Sequence, residues 1–502
     1  MKESILIIGG GTGGLFTGAI LSKEGYKVTI LEKNPIVGGG LQTFRYKGEI
    51  FETGMHVLGG FQKGGTLYKI CRYLDIWDKL DIREEDKDCF ASITYLSDHK
   101  TYRMGSGKEN FIKKLSDEFP NEKENIASYI NELYSLAEEV DLFYLRKGCD
   151  RLFTHSDRFF WAADELIAQY IKDERLKDVL GFMNPMYGGV AHHTPAYIHA
   201  LINVLYIDGS SHFNGGSQQL VKALEGIIKN GGGQVLPCKT VTAIHVEDHA
   251  ISKVITGDGC EYTADKYISA IHPCALLKVI DENAFPKSYR NRLNEIPNVY
   301  SAFTVYIVFK KESFPFVNHT CYFQEDYGLV WGHGDYNGEN WPRGFMYFTP
   351  AEKEQGPYAS KMIINSIMSF ERVRKWENTT IGHRGNDYLE WKQQQMEKVL
   401  NRMEQIYPGF KKNIENSFAS SPLTIRDYYN VKDGSLYGFR KDCRDMALSQ
   451  VSIYTKVRNL LLTGQNINLH GICGVPLTAI NTAEAIVGEN VIIDKINQCR
   501  ED

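Results

Sequence analysis

Short apolar runs alternate with glycine turns at both ends of the chain, and helical spacing and longer strands fill the middle. Ser4–Ile8, SILII, is apolar almost throughout, the pattern of a strand buried on both faces. After a glycine cluster, LFTGAILSKEG has helical spacing and stops at Gly25, a suitable C-terminal cap. Lys27–Leu31, KVTIL, is a second strand, closed by Glu32. Near the other end, Leu460–Leu462 runs into a turn at Gly464. A helix is predicted beyond it, with Pro476 at its first position and Gly488 at its end. Between these, QQLVKALEGIIKN reads as a helix, followed by strands at Gln234–Leu236, 240–246, 251–255 and Lys266–Ser269, with a hairpin turn at 257–259. Two inserts flank this block. The first is expected to be helical, with Ile126, Tyr129, Ile130, Leu133, Leu136 and Val140 on one apolar face. The second mixes strands at 302–309, 345–349 and 362–369 with a long polar helix near Asn386–Ile406.

Gly9, Gly11 and Gly14 fit the spacing G-x-G-x-x-G within a strand, glycine turn, helix, strand and acid. Gly9 permits the tight turn, Gly11 lets a pyrophosphate approach the backbone, and Gly14 lets the helix sit close to the strand. The free N–H groups at the helix start, with Thr12 and Gly13, would meet the phosphates. Glu32 can accept hydrogen bonds from a ribose diol. This unit alone does not choose between NAD and FAD. A second glycine cluster, Gly38-Gly39-Gly40, follows directly after the acid and lets more backbone approach a long cofactor. No second nucleotide motif occurs; Gly231-Gly232-Gly233 lacks the strand and helix context.

The chain has 502 residues, too many for one core, which stops growing at roughly 250–300 residues. The nucleotide-binding lobe is expected from 1–64, 210–285 and 440–502, and a substrate lobe from 65–209 and 286–439. With 57 basic and 62 acidic residues, net charge −5, no basic excess exists to track nucleic acid. No window approaches the ~18 apolar residues of a membrane span. The N-terminus shows no leader-like pattern, so a cytoplasmic protein is expected. The ten cysteines form no C-x-x-C pair, and no metal site is expected.

Residues Glu32, Lys33, Gly38-Gly39, Thr43-Phe44 and Glu52-Thr53-Gly54 resemble the pattern of the phytoene desaturase, carotenoid isomerase and retinol saturase (all-trans-retinol 13,14-reductase) superfamily. Those desaturases carry Arg after the glycine pair where this chain has Gly40. Gly54-Met55-His56 is closer to the retinol saturase branch, as are residues 422–424 and 434–438. The C-terminal Thr463-Gly464-Gln465-Asn466 and Gly474-Val475 are also similar, with Asn466 replacing an acid. The resemblance implies an α/β fold: a Rossmann-type, glutathione reductase-like FAD-binding domain in a two-domain flavoprotein, with a mixed α+β substrate domain. It implies FAD contacts from Gly9, Gly11, Thr12, Gly13, Gly14, Glu32, Lys33, Gly39, Gly40, Leu41, Met55, Val241, Gly464, Gln465, Gly474 and Val475.

The implied activity is FAD-dependent oxidation or reduction of C=C bonds in an apolar polyene or isoprenoid-like lipid. Saturation needs a hydride on one carbon and a proton on the other. His56 is the first candidate for the proton donor, because imidazole titrates near neutrality, and His470 the second. Tyr187, His192 and His193 read as channel or loop residues. Cys473 reads as a buried thiol rather than a flavin attachment point. Residues 142–161 interleave aromatics with bases and read either as a lobe surface or as a peripheral membrane contact. An electron donor or acceptor is also required. Alternative readings are a carotenoid desaturase or isomerase, an amine oxidase-like enzyme, and a flavin-free lipid chaperone of the Rab GDP-dissociation inhibitor type.

Overall fold

In a computed structural model describing residues 2–54, 57–148, 155–332 and 338–499, five short strands from distant parts of the chain form one parallel sheet. Its order is Gln234–Leu236, Lys27–Leu31, Ser4–Ile8, Lys266–Ser269 and Leu460–Leu462. Ile7 lies opposite Ile30 on one side and Ile268 on the other, so the apolar run of the first strand is enclosed by neighbours. Helices Thr12–Lys23, Gln218–Asn230 and Gly471–Val487 pack together against it. Crossover helices cover such a sheet, which explains the near-continuous apolar strands.

The second lobe is built on a seven-stranded mixed sheet. Its order is Ile414–Ser420, Ser301–Phe309, Lys361–Met368, Gly344–Phe348, Thr320–Gln324, Ala91–Tyr95 and Lys100–Met104. Strand alternation divides its side chains between two faces. Phe303, Val305 and Ile307 face outward, where Met396, Val399, Leu400 and Met403 of the helix Asn386–Ile406 cover them. Each such buried side chain is worth about 1.5–3 kcal/mol against exposure. Tyr306, Val308, Ile363 and Phe348 face inward, against Phe44 and Phe51 of the hairpin strands Thr43–Tyr46 and Glu49–Glu52.

Three expectations are corrected. The first insert is not helical alone: Ala91–Tyr95 and Lys100–Met104 complete the large sheet, with Ala91–Tyr95 running parallel to the remote Thr320–Gln324. Its helix Lys123–Glu138 does bury Ile126, Tyr129, Ile130, Leu133 and Leu136, but Val140 falls beyond its end. The C-terminal helix begins at Gly471, so Pro476 lies inside it. Proline there forfeits one helical hydrogen bond, and the buried flanks of this helix hold it in place.

Candidate active site

The two glycine clusters interlock. Gly9 has φ +106°, and its N–H donates to the Leu31 carbonyl at 2.8 Å. A Cβ on Gly14 would overlap the Gly9 carbonyl oxygen, so the helix lies as close to the strand as the spacing implied. Gly39 has φ +56°, and a Cβ there would come 2.9 Å from the Gly11 Cα. The Gly38 N–H donates to the Gly10 carbonyl at 2.9 Å. Gly13 meets the C-terminal turn, its Cβ position 3.0 Å from the Gly464 Cα and 3.5 Å from Val475.

Space for a cofactor opens where these segments converge. Among the described residues, a Cβ on Gly11 would meet only the Gly39 Cα at 3.8 Å, on Gly464 only the Ala270 carbonyl oxygen at 3.7 Å, and on Gly40 only the Tyr429 hydroxyl at 3.8 Å. The helix Thr12–Lys23 has no side-chain cap and no acid in its first turn. Its first N–H groups lack intrahelical acceptors, which is the arrangement that receives an anion. Glu32 is buried at the strand end, its Oε2 accepting from the Gly10 N–H and its Oε1 from the Asn34 N–H, both at 2.8 Å. Each oxygen keeps a lone pair for a ribose hydroxyl. An open glycine floor, helix N–H groups without intrahelical acceptors and a fixed carboxylate fit a dinucleotide such as FAD.

The remaining expected residues divide. Lys33 reaches the Asp427 carbonyl at 2.5 Å, and burial lowers its pKa. Leu41 buries its side chain in the core and offers only backbone, with its carbonyl accepting from Ser217 Oγ at 3.0 Å. Val241 opens the strand Val241–Glu247 opposite Thr256. Gly474 and Val475 lie buried in the first turns of the C-terminal helix, and Gln465 is partly exposed before it. Asn466, where the resembling proteins carry an acid, accepts from the Phe439 N–H at 3.0 Å and holds the 438–439 segment. Met55 and His56 lie outside the described residues.

A crevice borders the first turn of the helix Gly471–Val487. Phe143, Ile198, Leu201, Leu205 and Leu469 make it apolar, and among the described residues its lining carries no carboxylate. His470 stands at its edge. Burial first, then the nearby Lys441 charge, push its pKa down to about 4. A neutral imidazole of this kind is a weaker proton donor at pH 7 than an ordinary histidine. Tyr187 borders a second cavity, and its hydroxyl bonds to Nδ1 of His199 at 2.8 Å. Tyr129 bonds to the other ring nitrogen at 2.5 Å, and burial pushes His199 down to about 3. His192 and His193 border neither cavity; they pair with Asp164 and Asp442, both at 2.9 Å. Cys473 is a buried free thiol pushed up to about 12.

Two features were missed in the sequence. His212 Nε2 lies 2.7 Å from Glu85 Oε1, both side chains buried, with Thr320 Oγ1 donating to the same oxygen at 3.0 Å. Phe348 stacks on the imidazole at 5.3 Å, so the pair lies on the inner face of the large sheet. The crevice helix Ala196–Asp208 is apolar all round and has no functional signature. Of the aromatic and basic segment, Phe143 and Phe159 are buried, Arg158 pairs with Glu132 at 2.8 Å, and Phe160 and Trp161 are exposed. Among the described residues no single helix is long and apolar enough to cross a membrane.

The family model for flavin-containing amine oxidoreductases matches residues 12–487. The chain belongs to this family. It is an FAD-dependent oxidoreductase with the family's Rossmann-type FAD-binding domain. Within the family, it is 26% identical over 535 residues to rat (Rattus norvegicus) all-trans-retinol 13,14-reductase, covering 98% of this chain and 87% of that protein. It is 26% identical over 461 residues to prolycopene isomerase 2 of an Oncidium hybrid cultivar, covering 86% and 74%. An oxidoreductase structure from Methanosarcina mazei has the same fold, with TM-score 0.67 and 18% identity over 96% of this chain and 100% of that one. The expected superfamily is therefore the one found.

Proposed function

We propose that the protein adds hydrogen across a C=C bond of an apolar, conjugated isoprenoid-like lipid. The observation that carries this reading is the crevice of Phe143, Ile198, Leu201, Leu205 and Leu469, whose lining among the described residues holds no carboxylate to receive an amine cation. The similarity to a retinol reductase and a carotenoid isomerase, each over most of its length, supports the same substrate class.

FAD supplies hydride transfer when bound. The chain's residues do the rest. Gly11, Gly13 and the N–H groups of the helix Thr12–Lys23 hold the phosphates, and Glu32 the adenosine ribose. Gly40, Gly464, Gln465, Gly474 and Val475 are proposed to bound the ring. The start of the helix Gly471–Val487 offers positive dipole to negative charge on it. Leu201, Leu205 and Leu469 lay an apolar chain against that helix and exclude water. His56 is proposed as the proton donor to the second carbon. Turnover requires an external two-electron donor.

The test is product mass. Holoenzyme given a chemical reductant and a conjugated polyene should yield a product two hydrogens heavier. An unchanged polyene, together with oxidation of an amine by the same preparation, would overturn the reading.

A further inference from the structure

Saturating a C=C bond in a dry crevice needs a proton as well as a hydride, and among the described residues no carboxylate lines the crevice. The Glu85–His212 pair lies on the inner face of the large sheet, with side chains 0% and 4% exposed. Glu85 Oε1 lies 2.7 Å from His212 Nε2 and accepts from Thr320 Oγ1 at 3.0 Å, and the Phe348 ring stacks parallel to the imidazole. Burying an ion pair seldom stabilises a fold more than apolar side chains of the same size would, so packing does not account for the pair. The second carboxylate oxygen, Oε2, is buried and has no hydrogen-bond partner among the described residues. An unmet acceptor in the interior is costly, so Oε2 calls for a proton or a donor that the surrounding strands do not supply.

The backbone ties this pair to the crevice. The Glu85 N–H donates to the Ser210 carbonyl at 3.0 Å. In the strand Ser210–Phe213, His212 lies opposite Arg83, while its neighbours Ser211 and Ser210 pair with Leu58 and Gly59. The imidazole therefore flanks the short strand that begins two residues after His56 in the sequence. Tyr206, which lines the crevice, donates its hydroxyl to the Val57 carbonyl at 3.1 Å. Burial above all, and Glu85 among the nearby groups, raise the Tyr206 pKa, so the carboxylate acts on the crevice wall. Of the titratable neighbours, Asp86 faces solvent and burial lowers the His319 pKa, so neither competes for a stored proton.

We propose that Glu85 and His212 together form a proton store for the reduction, sealed from solvent and opening at Glu85 Oε2. The loaded pair carries one proton more than a neutral imidazole beside a carboxylate. One carbon of the C=C bond gains a hydride, with its two electrons, from reduced flavin. The other gains a proton from the donor facing the substrate, and the pair replaces that proton from Oε2. The pair is left as carboxylate and neutral imidazole, and it takes one proton back from water between turnovers. Neither side chain lines the crevice, so both act through the donor and are positioning residues. This rests on the hydrogenation reading above.

Isotope trapping tests it on the wild type. Reduced holoenzyme equilibrated in D₂O is mixed with retinol or lycopene in a large excess of H₂O for a single turnover. The product should carry deuterium on the carbon that takes the proton, besides any delivered with the hydride. Hydrogen alone at that carbon would overturn the proposal, because the proton would then come straight from solvent. Glu85→Gln keeps the shape and the acceptor for Thr320 but holds no acid proton. It should slow flavin reoxidation by the polyene roughly 10- to 100-fold, with FAD and polyene affinities within about twofold of wild type. Glu85→Asp, which restores a carboxyl group, should recover part of the rate. Wild-type rates in Glu85→Gln would overturn the proposal while leaving the hydrogenation reading intact. So would a slow variant that loses FAD or polyene affinity in proportion and is not improved by Glu85→Asp, which would assign the pair to structure alone. If the wild type reduces neither polyene, the broader reading has failed and the proton store with it.

Discussion

The Gly10 N–H donates to Oε2 of Glu32 across 2.8 Å, tying the first glycine turn to the end of the second strand. The other carboxylate oxygen takes the Asn34 N–H, so one side chain fixes two loops that border the FAD site. Glu32→Gln replaces one acceptor by an NH₂ group facing an N–H donor. FAD affinity should fall roughly 10- to 100-fold, from the lost hydrogen bonds to charge and the displaced turn. Titration of the apoprotein with FAD measures this, and an unchanged affinity would remove Glu32 from cofactor binding.

Asp427 pairs with charge inside its own lobe and meets the other lobe through its backbone carbonyl. It pairs with Arg384, whose side chain is 6% exposed, and with Arg426 at 2.7 Å, while its own carbonyl accepts from Lys33. Asp427→Asn should destabilise the protein by about 3–5 kcal/mol, because Arg384 would keep its charge in a buried place without a counter-ion. Urea denaturation would show it. A loss below about 1 kcal/mol would mean that Arg384 finds other solvation.

Stability should fall in mild acid. Burial pushes His272 down to about 4, and its ring holds two neutral roles: Nδ1 accepts from the Cys274 N–H at 3.2 Å and Nε2 meets Asn298 Oδ1 at 3.0 Å. His199 and His470 are pushed down to about 3 and about 4. Between pH 6.5 and 4 the unfolded chain therefore binds more protons than the folded one, and stability present above pH 6.5 is lost as pH falls. Each histidine contributes a slope of up to ~1.4 kcal/mol per pH unit. His272→Gln should flatten the denaturation-against-pH curve by about one proton. An unaltered slope would contradict this origin.

The ends of the chain were legible because their chemistry is local. A five-residue apolar strand, glycines at fixed spacing and an acid after the next strand fall within the first 32 residues; the strand pairs and the Gly14 helix packs against the turn as that spacing implied. The large sheet was only half legible. Ser301–Phe309 is buried at every position, so its two faces are invisible as alternation. Ala91–Tyr95 finds its partner in Thr320–Gln324, a pairing that no local pattern announces. The helix start at Gly471 was hidden because Pro476 mimics a first helical position. The Glu85–His212 pair depends on a contact between residues far apart in sequence, and no motif marks it.

The central claim is that hydrogen moves from the FAD site to a conjugated C=C bond. Holoenzyme reduced under anaerobic conditions and mixed with a polyene alcohol should regain the absorbance of oxidised flavin, one equivalent per double bond reduced. No recovery with any polyene, together with bleaching of the oxidised protein by a primary amine, would contradict it.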